Sequence, residues 1–155
     1  MTIKAVTFDL WETMIADDSD EPKRQVQGLR SKAKERRHLV WQALDRHQTI
    51  SEAEANLAYD VADSAFTRAW KGYSVTWTII ERIDIILSGL GRTLPADDLG
   101  ALVETLGRME VDVAPDPIPG VNGALADLAS RYALCVVSDT IIDPRHAASR
   151  TSRHL

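Results

Sequence analysis

A single cysteine in 155 residues excludes an internal disulfide, so no covalent staple supports the fold, and a reducing, cytoplasmic location is the default expectation. Cys135 itself sits in an apolar run, where a small buried hydrophobe is the expected role. The N-terminus has no basic segment leading into an apolar one, and no stretch approaches the roughly 20 consecutive apolar residues of a membrane span. A membrane is therefore not expected as a partner. The formal net charge of −5 gives no reason to expect nucleic acid either. Internal repeats and low-complexity segments are absent. What is present is 45% apolar and 26% charged residues, a globular composition, in a length that holds one ordinary domain or a small one with an insertion.

Two short stretches organise the chain. Ile3-Lys4-Ala5-Val6-Thr7-Phe8 has the β-branched and aromatic character and the length of one strand, and it runs into Asp9-Leu10-Trp11-Glu12-Thr13. An ionisable group thus stands where a buried strand emerges, and in open parallel sheets that end borders the ligand crevice. Far downstream, Tyr132-Ala133-Leu134-Cys135-Val136-Val137 repeats the design and runs into Ser138-Asp139-Thr140.

Between them, helical spacing dominates. Val26, Leu29, Ala33, Val40 and Leu44 keep it through a long first segment whose first half is basic: Lys23, Arg24, Arg30, Lys32, Lys34, Arg36 and Arg37. A solvated helix face is the expected reading of that run, ahead of an anion-binding patch. Ser51-Glu52-Ala53-Glu54 has the form of a capping box and opens a second helix, with Leu57, Val61, Ala65 and Trp70 as its apolar face and Gly72 at its end. A third is expected from Val75 to Leu90 on Ile80, Ile83, Leu87 and Leu90, and a fourth from Pro95 on Leu99, Leu102, Leu106 and Met109. Four amphipathic helices with short connections suggest a bundle, with Trp41, Trp70 and Trp77 in its core. The stiff connector Ala114-Pro115-Asp116-Pro117-Ile118-Pro119-Gly120 precludes helix and marks a boundary. Val121, Leu125 and Leu128 then lead helically into the second strand, a crossover that lets the two strands lie parallel.

Together the two strand ends resemble the first and second motifs of the haloacid dehalogenase-like hydrolase superfamily. Asp9 and Thr13 match the first motif, Ser138 matches the second, and the helical insertion directly after the first motif is similar to that superfamily's helical cap. The resemblance implies an α/β fold: an incomplete Rossmann-like core of parallel strands over 1–16 and 114–143, an α-helical bundle cap over 17–113, and a disordered tail over 144–155. It implies Asp9 as nucleophile and metal ligand, the Trp11 backbone carbonyl as a further ligand of Mg²⁺, Thr13 as a catalytic-motif residue, and Ser138 with Asp139 on the substrate. The expected activity is a Mg²⁺-dependent phosphatase type acting on a small phosphorylated metabolite.

Trp11 departs from the pattern, because the superfamily's phosphatases carry Asp there as general acid and base, and an indole cannot transfer that proton. A 2-haloacid dehalogenase type is the alternative, since halide needs no proton on leaving and no Mg²⁺. Glu12 could replace the acid only if a turn brought it round. After Thr140 there is no Lys and Asp143 is the only acid, so the superfamily's later motifs have no counterpart. The expected explanation is a truncated or frameshifted chain, inactive by itself; a shorter domain completed by another chain is the alternative. Self-association through the unpaired sheet edge is then expected, and a non-catalytic helical interaction module on a vestigial core is the remaining alternative.

Overall fold

A computed structural model of the protein describes residues 2–138. Their element order is β1 (Ala5–Phe8), α1 (Glu21–Val26), α2 (Lys32–His47), α3 (Glu52–Tyr73), α4 (Ile79–Gly89), α5 (Ala96–Asp112), α6 (Val121–Ala129) and β2 (Ala133–Val136). Six helices and a two-stranded parallel sheet place the described residues in the α/β class. No helix among them is long and apolar enough to cross a membrane. The described residues form two compact units, one from residues 2–29 and 110–138 and one from residues 30–109.

In the first unit, β1 and β2 pair in parallel in the register Ala5↔Ala133 to Phe8↔Val136. Val6 and Phe8 are half-buried while Ala5 and Thr7 are exposed, the period-two pattern of a strand covered on one face. Among the described residues, each strand has one edge with no strand beside it. Helix α6 packs on β2. The proline-rich connector forms neither helix nor strand and makes an isolated antiparallel bridge, Ile15↔Pro117.

The second unit is a helical bundle. Its core gathers Val40, Ala43 and Leu44 of α2, Ala55, Tyr59 and Ala62 of α3, Ile83, Ile86 and Leu87 of α4, and Leu102, Leu106 and Met109 of α5, with Ile50 from the α2–α3 turn. Helix starts are set by side-chain caps: the Ser31 hydroxyl accepts from Lys34 N–H, Ser51 from Glu54 N–H, and Thr78 with Glu81 forms a full capping box. The two bonds donated to Glu81, from the Thr78 backbone first and its side chain second, hold that carboxyl below the usual range. The α2–α3 turn is pinned from outside. Trp41 Nε1–H donates to the Ile50 carbonyl at 3.1 Å, Asp45 accepts from Ile50 N–H at 3.0 Å, and Arg92 donates to the Gln48 and Thr49 carbonyls. Burial pushes the Tyr59 phenol up from its usual range despite nearby arginines.

Several sequence expectations need correction. The long first helix is two, because Gly28 adopts φ +70° after α1 and Ser31 caps a new start. Helix α3 does not bury Leu57 and Val61, which are 65% and 61% exposed; the buried face is Ala55, Tyr59, Ala62 and Phe66. It runs one residue past Gly72 and ends on Ser74 in the left-handed region. Helix α4 starts at Ile79 rather than near Val75, because the Thr78–Glu81 box fixes its first turn. Trp41 packs on the core only partly buried, and Trp70 is 42% exposed, stacked on Phe66. Cys135 is exposed, as are Ala133 and Val136, and Leu134 is the one half-buried residue of β2. The basic run is mostly engaged within the chain: Lys23 pairs with Asp116, Arg30 with Glu35 and Arg37 with Asp60, while Arg24 and Lys32 are buried.

Candidate functional site

Parallel pairing makes the two strands end level. Phe8 lies opposite Val136, and Val137 N–H continues the ladder by donating to the Phe8 carbonyl at 2.8 Å. Asp9 is the first residue beyond β1 and Ser138 the second beyond β2, so the carboxylate and the hydroxyl leave the sheet at the same end. Asp9 is exposed, and its Oδ1 accepts from Leu10 N–H at 2.7 Å. That bond ties one carboxylate oxygen to the strand terminus and leaves the other available for chemistry. Ser138 Oγ is buried and has no hydrogen-bond partner among the described residues. An unmet hydroxyl of that kind costs stability, which an oxygen-rich ligand would relieve.

A tight loop follows Asp9. The Leu10 carbonyl accepts from both Met14 N–H (2.9 Å) and Ile15 N–H (3.1 Å), and Glu12 N–H donates to the Ile15 carbonyl at 2.8 Å. This closure holds Glu12 at φ +54°, a conformation that costs a non-glycine residue about 1 kcal/mol or more. The turn that Glu12 needs to reach round is therefore present, but its carboxylate is directed along the loop, where Oε1 accepts from Asp17 N–H at 2.6 Å. Glu12 is not placed as a proton donor beside Asp9. Trp11 is half-buried and bridges to Ile15, and Thr13 is exposed within the turn. Asp139, expected on the substrate, lies outside the described residues, as do Thr140 and Asp143.

The loop is held by contacts that no motif announces. Ala16 N–H donates to the Asp116 carbonyl at 2.9 Å, Ile118 N–H to the Met14 carbonyl at 2.9 Å, and Asp116 N–H to Ser19 Oγ at 2.6 Å. Lys23 adds two bonds of 2.7 Å, to the Ala114 carbonyl and to the Asp116 carboxylate. The connector thus serves as a strap on the loop that carries Asp9. Lys23 and Asp116 are too far apart in sequence for their pairing to be legible beforehand.

The oxygen donors that the resemblance implies for Mg²⁺ are the Asp9 carboxylate and the Trp11 carbonyl. Their type fits the ion, which takes oxygen ligands, often only one or two carboxylates, and retains water. Among the described residues no three His, Cys, Asp or Glu side chains gather as a metal group, so substrate oxygens and water would have to fill the other positions. No protein-family model matches the chain, and no curated protein matches it.

Proposed function

We propose that this chain derives from an aspartyl-nucleophile hydrolase of the haloacid dehalogenase-like type, with Asp9 attacking a small phosphorylated metabolite and the helical insertion acting as a cap. The observation that carries the proposal is the parallel register that sets Asp9 and the unmet Ser138 hydroxyl at one end of the sheet. The Asp9 carboxylate attacks phosphorus, the bond to the leaving oxygen breaks, and an aspartyl-phosphate forms. Water then attacks that phosphorus, releasing phosphate and regenerating the carboxylate. Ser138 donates to a phosphoryl oxygen throughout. Mg²⁺, held by Asp9 and the Trp11 carbonyl, would neutralise charge on the transferring group.

A second reading is favoured by Trp11 itself. With Trp11 in place of an acid two residues beyond the nucleophile, and Glu12 Oε1 accepting from Asp17 N–H, neither of these two positions supplies a proton to a leaving alkoxide. Halide needs none, so a 2-haloacid dehalogenase, in which Asp9 displaces halide from carbon, suits the same residues. The test is direct. The purified chain is incubated with Mg²⁺ and a panel of phosphate esters and acyl phosphates, and separately with 2-chloro acids, while phosphate and chloride release are measured. Release that Asp9→Asn abolishes and Ser138→Ala weakens supports the hydrolase, and the released ion chooses between the readings. No release from either panel, or release untouched by Asp9→Asn, overturns both readings for this chain.

A further inference from the structure

Helix α3 carries two apolar stripes, and among the described residues only one is buried. Ala55, Tyr59, Ala62 and Phe66 are buried, whereas Leu57 and Val61, 65% and 61% exposed, lie with exposed Ala65 on another face. At 3.6 residues per turn, Glu54, Leu57, Val61, Ala65 and Arg68 all fall within about 40° of one line along the helix. All five are exposed. The line has a symmetry: Glu54 precedes Val61 by as many residues as Arg68 follows it, and Leu57 and Ala65 are likewise equidistant from Val61.

We infer that this face pairs with the same face of a second copy of the chain, antiparallel, about a two-fold axis at Val61. Such an axis puts Val61 on Val61 of the partner copy and Leu57 on its Ala65. It also sets each Glu54 opposite an Arg68, so both ends of the interface are attractive. A parallel arrangement in register would instead place like charges together, which selects the antiparallel one. The apolar centre with a charged rim is the anatomy of a non-obligate interface. One helix pair buries less than the ~1,600 Å² of a standard interface, which places the dimer in the weak, transient class.

The experiment is sedimentation velocity on the full chain across a concentration series, at low and high salt, with far-UV circular dichroism as the check on folding. The wild type is expected to pass from monomer to dimer, less so at high salt. Glu54→Arg makes both end pairs repulsive and weakens association about tenfold, and Arg68→Glu alone does the same. Combining Glu54→Arg with Arg68→Glu restores both pairs and returns association to the wild-type level. Val61→Glu, at an exposed position, abolishes it. A wild type that stays monomeric throughout overturns the inference, including the case where hydrogen exchange shows residues 57–65 protected by another part of the same chain. Association that survives Val61→Glu, or that fails to return in the double charge reversal, also overturns it and directs attention to the open sheet edge.

Discussion

Truncating Phe66 and Val61 in parallel tests which side of α3 faces the bundle. Phe66 is 5% exposed; its ring stacks on Trp70 at 6.3 Å, meets Trp77 at 5.9 Å, and carries the Arg82 guanidinium 4.6 Å above it. Phe→Ala at a buried position costs about 3–5 kcal/mol, which includes the lost ring contacts. Against a net stability of roughly 5–15 kcal/mol that is a large fraction. Val61, 61% exposed, loses two methyl groups that are less than half buried, worth about 0.6 kcal/mol, and alanine's higher helix propensity returns about 0.5. The expected net effect is near zero. The assay is urea unfolding followed by ellipticity at helix wavelengths, at a concentration where the chain is monomeric. At a slope of about 1.5 kcal/mol/M, Phe66→Ala should lower the midpoint by roughly 2–3 M and Val61→Ala by almost nothing. A costly Val61→Ala beside a harmless Phe66→Ala would mean that α3 is turned the other way and that the stripe read from sequence is the core face.

Other outcomes follow from single groups. Because burial raises the Tyr59 phenol, its contribution to stability is complete below pH 10, the ordinary tyrosine value, and is lost as pH rises through the higher folded one; Tyr59→Phe should flatten that alkaline loss in pH-dependent melting. The Glu81 carboxyl is held low by its bonds from Thr78, so its contribution is present above the unfolded value and disappears as pH falls through the folded one. Thr78→Ala should remove that acid dependence and lower Tm by roughly 4–8 °C, the usual result of losing a helix N-cap. If the chain hydrolyses phosphate esters, the missing acid at Trp11 predicts rates that rise steeply as the leaving-group pKa falls across a series of aryl phosphates. A flat series would show that some other group supplies the proton.

What could be read from the sequence depended on how many answers a segment allowed. Helix α5 has one apolar stripe, and Leu102, Leu106 and Met109 are buried as their spacing indicates. Helix α3 has two, and periodicity alone does not rank them. The larger rings of Tyr59 and Phe66 decide the matter, because burying an aromatic gains more than burying Val61. The break between α1 and α2 carried its own signals, Gly28 and Ser31, but the apolar count ran across them. Cys135 misleads because an unbroken apolar run reads as a strand covered on both faces, whereas in β2 Leu134 alone is half-buried and Ala133, Cys135 and Val136 are exposed. At the site, the two strand ends and their parallel sense were legible. The strap of Lys23, Ser19 and Asp116 was not, since tertiary proximity leaves no local trace.

Ser138 offers a test of the site that needs no turnover. Its hydroxyl oxygen is buried with no partner among the described residues, and a buried polar group left unmet costs about 1–3 kcal/mol. Removing it should therefore leave the free chain as stable as before or slightly more so, unlike most truncations at a buried atom. A phosphoryl oxygen seated against that hydroxyl would satisfy it, so inorganic phosphate should raise the wild-type Tm. The rise follows from ligand binding to the folded state alone, and it grows with the logarithm of concentration once the site saturates. Ser138→Ala should abolish or sharply reduce the rise while keeping the starting Tm. Asp9→Asn, which removes a negative charge near an incoming anion, should preserve or increase it. If Ser138→Ala lowers the starting Tm by several degrees, the hydroxyl already has a structural partner and is no open position for substrate. If phosphate shifts wild type and Ser138→Ala equally, the anion binds elsewhere, and the level strand ends of β1 and β2 hold no phosphoryl site.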